Sequence, residues 1–416
     1  MRQAIYGGLL CLLAGATQAA DFRAGVDDYR DFVRRLQPGD RLLLEPGDYG
    51  RGLPLHNLSG RADQPIVIEA ANPAAPPRFI AQSGSNTVSL VNVRYLVLRH
   101  LELDGRNVPV DAVKAEGHSR YADFITLEQL FIHDHAASQQ NVGISTKCPA
   151  FGWLIKNNRI ERVGTGMYLG DSDGSDPFVG GVIEANRLSD TLGYNLQIKH
   201  QKTRHADWVG RYDTVIRYNV FSRQDPVPGA QARPNVLLGH FPLTGPGSED
   251  RYLVYSNLFR DNPSEALLQA EGRVAVYNNV FINPHGDAVH IQPHNDVPRA
   301  MALFSNTVLA SGTGIQVRGA EGAAYRQRVI GNVIAARTPL QGGDALHNTL
   351  SPYRPELLGH PVAELTSLLR AFSPKSKPLP AGLMRELAAY PGWPAEWSPG
   401  AHLPPALLRM LDSTPP

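Results

Sequence analysis

The sequence contains little cysteine, with two residues in a chain of 416. Cys11 lies in a leader segment that we expect to be removed, so the mature chain keeps only Cys148 and cannot form an intramolecular disulfide. Stability is therefore expected to come from stacking of the chain on itself rather than from cross-links. An exported chain without disulfides is more typical of a bacterial periplasm or exterior than of a small secreted eukaryotic domain.

The chain also lacks an excess of charge of either sign. It holds 40 basic and 39 acidic residues, and the two numbers become equal when Arg2 is removed with the leader. Binding to a phosphate backbone requires a strong basic excess, so the composition argues against nucleic acid as a partner. A neutral protein can still carry a local basic groove, which leaves an acidic polymer as a compatible partner.

Long apolar runs are absent beyond the first twenty residues. Arg2 gives the N-terminus a positive charge, residues 9–16 form a short apolar core, and Ala19 or Ala20 ends a small-residue cleavage site. We predict a signal peptide over residues 1–20 and a periplasmic or secreted bacterial protein after cleavage. No other segment is long and apolar enough to span a bilayer.

One short motif recurs through the chain: apolar, any, any, Asn, any, apolar. Successive motif asparagines are separated by 28, 33, 38, 22, 27 and 26 residues, and they are Asn158, Asn186, Asn219, Asn257, Asn279, Asn306 and Asn332. A strand-rich repeat of this length, without helical periodicity, is typical of a solenoid. We predict an all-β fold, a single-stranded right-handed parallel β-helix, whose hand follows the usual chirality of parallel crossovers. The asparagines are expected to hydrogen bond from coil to coil as an internal ladder.

The predicted solenoid domain covers residues 21–350. It has an N-terminal helical cap at residues 26–36 and roughly ten coils from residue 40 to residue 349. The composition changes at residue 351, since the last 66 residues hold 13 of the 33 prolines. We predict a proline-rich tail over residues 351–416 with short helices at 362–372, 382–390 and 406–411, which caps or wraps the solenoid.

A second family of short strands alternates aliphatic with polar residues, which places the polar residues outward. One predicted outward column holds Lys199, Gly239, Gln269, Gln292 and Arg318, and its neighbour holds Gln197, Leu237, Leu267, His290 and Gln316. Such a face matches the hydroxyls and carboxylates of a sugar polymer. The predicted substrate-binding residues are Tyr168, Gln197, Gln269, His290, Gln292 and Arg318.

The N-terminal motifs resemble a known family. They are LQPGD at residues 36–40, EPGDY at 45–49, DQPIVI at 63–68 and ANP at 71–73. These stretches look like the opening of secreted right-handed β-helix polysaccharide lyases, of the chondroitinase B and alginate lyase type. The resemblance is good over residues 26–104 and continues more loosely to about residue 283. It implies an exported enzyme that acts on an acidic polysaccharide.

The reaction of that family removes the proton next to a uronate carboxylate and expels the neighbouring sugar. It requires a base, positive charge on the carboxylate and a donor for the leaving oxygen. The family uses a lysine base, an arginine on the following coil and Ca²⁺ held by carboxylates. Residues 197–203 resemble the base-bearing strand, which puts Lys202 at the family's lysine position with Lys199 beside it.

The sequence departs from the family at two of these positions. Residues 236–240 resemble the following coil, but Gly239 stands where the family has arginine, and His240 follows as it does in the family. Gln197 stands where a metal-binding glutamate is expected. Arg204, Arg233 and Arg318 are candidates for the missing positive charge. His240 is a candidate accessory proton donor, because histidine titrates near neutral pH.

Calcium has a second candidate site in the run DSDGSD at residues 171–176. Alternating carboxylates around a glycine suit oxygen coordination of Ca²⁺, so Asp171, Asp173 and Asp176 are predicted metal ligands. The same composition is common in plain turns, and that alternative stays open.

Two histidine groups are further candidates. His133 and His135 flank Asp134. Strand alternation would let at most the two histidines share a ligand, and a loop at the coil corner is the favoured interpretation. His290 and His294 are expected to share one face of their strand, where they bind substrate, donate a proton or line a groove.

Three classes of function follow from these residues. The first is a lyase for an acidic polysaccharide with Lys199 or Lys202 as base, and an epimerase would share its proton abstraction. The second is a non-catalytic polysaccharide-binding or export protein. The third is a glycoside hydrolase, which needs two carboxylates across the bond, and the polar face offers few acids. We expect the protein to be a monomer.

Overall fold

The computed structural model describes residues 19–204, 208–224, 229–319, 325–371, 379–393 and 399–412. The charged start and apolar core of the predicted signal peptide lie outside these residues. Within them, no helix is long and apolar enough to cross a membrane.

The chain winds as a right-handed parallel β-helix with three faces, and all pairings between its strands are parallel. The first face is a sheet whose coil-to-coil path contains thirteen strands. These are Asp21–Ala24, Arg41–Leu44, Ile66–Ala70, Val93–Arg99, Ala122–Glu128, Leu154–Lys156, Val182–Glu184, Asp213–Arg217, Arg251–Tyr255, Val274–Tyr277, Met301–Phe304, Gln327–Ile330 and Asp344–Leu346. The short strands Ala150–Phe151 and Phe178–Val179 extend this sheet at its side.

The second and third faces alternate along the chain with the first. The second consists of Asp48–Tyr49, Arg78–Ile80, Glu102–Asp104, Phe131–His133, Arg159–Glu161, Arg187–Ser189, Val220–Ser222, Leu258–Arg260, Val280–Asn283, the first halves of Thr307–Val317 and Val333–Gln341, and Thr349–Ser351. The third consists of Leu53–His56, Val88–Val91, Val113–Ala115, Val142–Thr146, Thr165–Leu169, Leu196–Ile198, Val236–Leu238, Leu268–Ala270, Val289–Ile291 and the second halves of the two long strands.

The core is a set of aliphatic columns inside the coils. On the first face, one inward position is aliphatic in each of eleven paired strands and is fully buried: Leu42, Ile68, Leu98, Leu127, Ile155, Ile183, Ile216, Val254, Val276, Leu303 and Val329. Burial of each such side chain stabilises the fold by about 1.5–3 kcal/mol. Strand alternation thus fills the interior of the coils with aliphatic side chains.

The predicted asparagine ladder is confirmed. The side-chain amide of Asn257 donates to the Asn279 side chain at 3.0 Å, and that of Asn279 donates to Asn306 at 3.1 Å. The same bond joins every consecutive pair from Asn158 to Asn332. The ladder continues one step further than predicted, to Asn348 at 2.9 Å. The residue before each ladder asparagine has a positive φ, as at Ser256, where φ is 55°. This left-handed residue turns the chain between the first and second faces.

The solenoid begins earlier and has more coils than the sequence indicates. Its first strand, Asp21–Ala24, pairs with Arg41–Leu44 and precedes the helix. The coils therefore begin before the predicted residue 40, inside the predicted domain of residues 21–350. Helix α1 covers Tyr29–Val33, which is shorter than the predicted 26–36. It buries Tyr29 against Tyr49 and Phe79 at the end of the core.

The C-terminal tail wraps along the side of the solenoid. It contains a 3₁₀ turn, Pro355–Leu357, and helices α2 (Val362–Ala371), α3 (Ala381–Leu387) and α4 (Pro405–Asp412). Helix α2 places Leu365 and Leu369 on outward apolar residues of the second face. Helix α3 places Leu387 on outward aromatic residues of the first face. Both helices leave the third face uncovered at the coils before residue 200.

Candidate functional site

The register of the third face aligns two outward columns of polar side chains. The first column contains Ser89, Lys114, Ser145, Tyr168, Gln197, Leu237, Gln269, His290, Gln316 and Gln341. The second lies just beyond the strand ends and contains Lys147, Gly170, Lys199, Gly239, Glu271, Gln292 and Arg318. The predicted position of Gln269 beside Gly239 is therefore wrong, since Gln269 pairs with Leu237 and His290, and Glu271 takes the place beside Gly239.

A groove of about 430 Å³ lies across the earlier coils of this face. Among the described residues that line it, four are cationic (Lys114, Lys147, Lys199 and Arg233) and one is acidic, Asp111. The remaining lining is mostly amide, hydroxyl and phenol groups, including Gln139, Gln140, Asn141, Thr165, Tyr168, Tyr194 and Gln197. Asp111 pairs with Lys114 at 3.2 Å. The groove is therefore positively charged in a protein that is neutral overall.

At the centre of the groove, two lysines approach one tyrosine. The Lys147 amine lies 3.3 Å from the centroid of the Tyr168 ring, and the Lys199 amine lies 6.0 Å from the same centroid. Gly170 separates the two lysines in their column, and it has a φ of +90° and no side chain to fill the space between them. The Tyr168 hydroxyl lies 3.1 Å from the Ser172 hydroxyl.

Burial changes the acid–base properties of these three groups. It lowers the pKa of Lys147 to about 8, and the positive charges of Lys114 and Lys199 act in the same direction. Burial also lowers the pKa of Lys199. Burial raises the pKa of Tyr168, so its phenol stays protonated at neutral pH. The groove thus combines an amine that is partly neutral near pH 8 with a protonated hydroxyl.

Sequence reasoning missed Lys147, although a signal was present. Lys147 follows Ile144 by three residues, and Lys199 follows Leu196 by three. Ile144 and Leu196 both align with Met167, on the strand between theirs. The shared offset places both lysines in one outward column. Arg233, one of the three predicted replacement arginines, also lines the groove, with its guanidinium 5.9 Å from the Tyr194 ring centroid.

Lys202 lies outside the groove. Its side chain is exposed, and its amine pairs with Asp173 at 3.3 Å in the 171–176 turn. Arg204, another predicted replacement cation, is buried in an ion pair with Asp250. Neither side chain is therefore placed to meet a ligand in the groove.

The 171–176 run forms a turn closed by its own side chains. Asp171 accepts hydrogen bonds from the Asp176 amide at 3.0 Å and the Ser175 hydroxyl at 3.1 Å. Asp173 accepts from the Ser175 amide at 2.9 Å. The bonds from Ser175 and from the Lys202 ammonium lower the pKa of Asp173. These carboxylates are already engaged, and their role as calcium ligands stays a prediction.

The metal-binding position of the lyase family does not suit calcium here. Gln197 is buried, and the one carboxylate on the groove lining within the described chain is Asp111, held by Lys114. We derive no step through a metal at this position. Within the described residues, three possible ligand atoms lie within 4.8 Å of one another on the second face, at Asp104, His133 and Asp134.

At this group the strand ends at His133, so Asp134 and His135 lie in the predicted corner loop. Asp134 has a φ of +57°, which ends the strand and turns its carboxylate back to His133 at 2.6 Å. His135 is fully buried, with its Nδ1 3.1 Å from the Val110 carbonyl oxygen. The left-handed residue ends the strand alternation after His133, so the two histidines have different surroundings. Arg162 pairs with Asp134 at 2.7 Å and balances its charge.

The other predicted residues lie further along the third face. The His240 ring stacks on His200 with centroids 5.3 Å apart, and neither ring is on the groove lining. His290 pairs with Asp287 at 2.9 Å. Gln269, His290, Gln292 and Arg318 occupy later coils than Lys199, spaced by about 4.8 Å per coil. They extend the polar face beyond the groove toward the C-terminal coils.

Comparison with known proteins finds likeness in fold only. No family model and no curated protein matches the sequence. A mannuronic acid specific polysaccharide family 6 lyase from human gut microbiota is 17% identical, with 94% of this chain and 98% of that chain covered and a TM-score of 0.50. An alginate lyase from Paenibacillus sp. str. FPU-7 is 14% identical, with 80% of this chain and 99% of that chain covered and a TM-score of 0.43. The GH136 lacto-N-biosidase from Eubacterium ramulus is 13% identical, with 80% of this chain and 68% of that chain covered and a TM-score of 0.47. The resemblance to β-helix polysaccharide lyases is thus confirmed at the level of architecture.

Proposed function

We propose that the protein is an exported polysaccharide lyase that cleaves a uronate-containing polymer by β-elimination in the third-face groove. The observation that carries the proposal is the half-buried Lys147 amine over Tyr168, in a groove with three other cations. A cationic groove in a neutral protein attracts a polyanion and favours it over a neutral polymer.

The roles of the groove residues follow from their charges and pKa values. Lys199 and Arg233 neutralise the uronate carboxylate, which makes the proton on the adjacent ring carbon more acidic. Neutral Lys147 removes that proton. The electron pair forms the new carbon–carbon double bond, the bond to the leaving oxygen breaks, and the Tyr168 hydroxyl donates its proton to that oxygen. Transfer of a proton from Lys147 to the phenolate then restores both groups.

This assignment replaces Lys202 with Lys147 as the base. Lys202 matches the family's lysine position in sequence, but its amine pairs with Asp173 outside the groove. Lys199 remains in the site, as a carboxylate-binding group rather than the base. His240 is not on the groove lining, so we give the donor role to Tyr168. An epimerase would share the proton abstraction, and product analysis separates the two reactions.

A second candidate function is binding of the same polymer without cleavage. The observation that favours it is at Gly239, where a Cβ would lie 2.3 Å from the His200 backbone nitrogen. No side chain fits there without movement of the backbone, so the arginine position of the lyase family cannot be filled in this chain. A hydrolase is less well supported, because the single carboxylate on the described groove lining has no second acid facing it.

The test is absorbance of the new double bond during incubation with alginate, chondroitin sulfate, dermatan sulfate and pectate, each with and without Ca²⁺. A rising signal on one polymer that disappears in Lys147→Ala supports the proposal. A flat signal on every polymer, combined with retained polymer binding, supports the binding function instead. A calcium titration by calorimetry tests the 171–176 run, and an absence of heat at millimolar Ca²⁺ removes that metal site.

A further inference from the structure

A second cationic recess lies on the first face, on later coils than the groove. It has a volume of about 470 Å³ and is bounded on one side by the tail residues Glu386 and Tyr390. The charged residues that line it are five arginines and two glutamates: Arg211, Arg251, Arg273, Arg326, Arg328, Glu249 and Glu386. We call this recess the arginine cleft.

Small residues in successive coils create the hollow. Ala275 pairs with Ala302 on neighbouring strands, and Ala300 lies in the outward column between Arg273 and Arg326, since the residues that follow these three are paired. Methyl groups at these positions leave empty space where longer side chains stand on neighbouring coils. The long arginine side chains on either side therefore line the hollow.

The arginines differ in how they are held. Asp213 binds Arg251 through both carboxylate oxygens, at 2.8 and 3.0 Å. Glu249 pairs with Arg273 at 3.1 Å, and Glu386 pairs with Arg328. These pairs fix the guanidinium planes and leave further N–H donors on each. Arg326 is exposed and forms no ion pair within 4.0 Å among the described residues, and its charge helps to lower the pKa of the neighbouring Glu386. The cleft therefore presents an excess of oriented donors for an anion.

We propose that the arginine cleft is a second saccharide site, which binds one uronate unit of an acidic polysaccharide outside the groove. Arginine forks match carboxylate geometry. Tyr325 and Tyr390 add aromatic surface to the lining, and the Tyr390 ring is itself held by Phe304 and the Arg251 guanidinium. The choice of a uronate rests on the proposed function, whereas the preference for an anion rests on the arginines alone. When a long polymer is bound at one of two sites on the same solenoid, its effective concentration at the other site is raised, so the polymer binds more tightly than at either site alone.

The test is calorimetric titration of the full-length protein with tetramannuronate and with tetragalacturonate. We expect two binding events for the tetrasaccharide that the protein recognises. Arg326→Ala weakens one event about tenfold, the size expected for loss of one charge-assisted contact. Ala300→Leu fills the hollow without a change of charge and has the same effect. Arg61→Ala removes an exposed arginine in the first coils, which does not line the cleft, and serves as the matched control.

Each outcome bears on one proposal. If Arg326→Ala and Ala300→Leu bind the tetrasaccharide as tightly as Arg61→Ala does, the second site is overturned, even if the protein cleaves polymer. If the wild type shows two binding events and these variants lose one of them, the second site is supported. A failure to detect elimination would then count only against the proposed lyase activity. Three other outcomes would overturn the saccharide assignment. The protein binds neutral mannotetraose as tightly as the uronate tetrasaccharide, sulfate at the concentration of the tetrasaccharide displaces the second binding event, or neither uronate tetrasaccharide binds.

Discussion

The Lys147 amine lies over the Tyr168 ring at 3.3 Å from its centroid, and both residues project from neighbouring coils of the third face. The contact places an amine of lowered pKa within the same small volume as a phenol of raised pKa. Pairs of titratable groups whose environments alter their pKa values mark the acid and base of many enzymes.

Replacement of Lys147 by alanine should abolish most of the elimination activity. Loss of a positioned base reduces rates by about 100-fold or more, so we expect kcat to fall by at least that factor on the polymer that the wild type cleaves. Lys202→Ala is the matched control, because Lys202 is exposed and outside the groove. A rate for Lys202→Ala that falls as far as that of Lys147→Ala would return the base to the family's position.

The pH dependence of cleavage should report the titration of Lys147. The amine acts as a base only when neutral, and burial lowers its pKa to about 8. Activity is therefore expected to rise with pH through about 8 and then level off, measured as initial absorbance rates at constant ionic strength. Lys199→Ala removes a neighbouring positive charge, which should raise the Lys147 pKa and move the rising limb to higher pH. An unmoved limb would argue that another group titrates.

The sequence predicts those features that repeat in every coil. One asparagine and one buried aliphatic residue recur at fixed places, so the ladder and the strand alternation are visible without a structure. Asn348 carries the same motif, but it follows Asn332 by 16 residues, outside the spacing of the other coils. The interval reflects a short final coil, which the repeat alone does not reveal.

The sequence does not determine the register where local patterns are ambiguous. The predicted columns place Leu267 beside Leu237, whereas Gln269 takes that place in the structure. This shift of two residues leaves the inward and outward assignment unchanged, so strand alternation does not reveal it, and it moves Gln269 from one outward column to the other. Lys147 illustrates the same difficulty, because its offset from Ile144 places it beside Tyr168 only when the pairing of Ile144 with Met167 is known. A site built from several coils therefore requires the three-dimensional register.

Replacement of Asn257 by alanine should destabilise the fold and leave ligand specificity unchanged. The Asn257 side-chain oxygen accepts from the Asn219 amide nitrogens, and its own amide donates to Asn279 and to the Ile216 carbonyl. Loss of these buried bonds is expected to lower the free energy of unfolding by about 3 kcal/mol. Thermal unfolding followed by circular dichroism measures the effect, with exposed Asn295→Ala as control. Equal melting temperatures for the two variants would contradict a structural ladder.

Glu271 should act as a structural anchor rather than a catalytic acid. Its carboxylate is fully buried and accepts the backbone amides of His294 at 2.8 Å, Asn295 at 2.9 Å and Asp296 at 3.0 Å. Glu271→Gln exchanges one acceptor oxygen for an NH₂ group that faces these donors, so the 294–296 loop should open. We expect faster amide hydrogen exchange confined to this loop. Glu271 lies two coils beyond Lys199 and is not on the groove lining, so cleavage of polymer should stay within about twofold of wild type, since its chemistry needs no second acid. A loss of activity as large as that of Lys147→Ala, with unchanged exchange in the loop, would instead identify Glu271 as part of the active site.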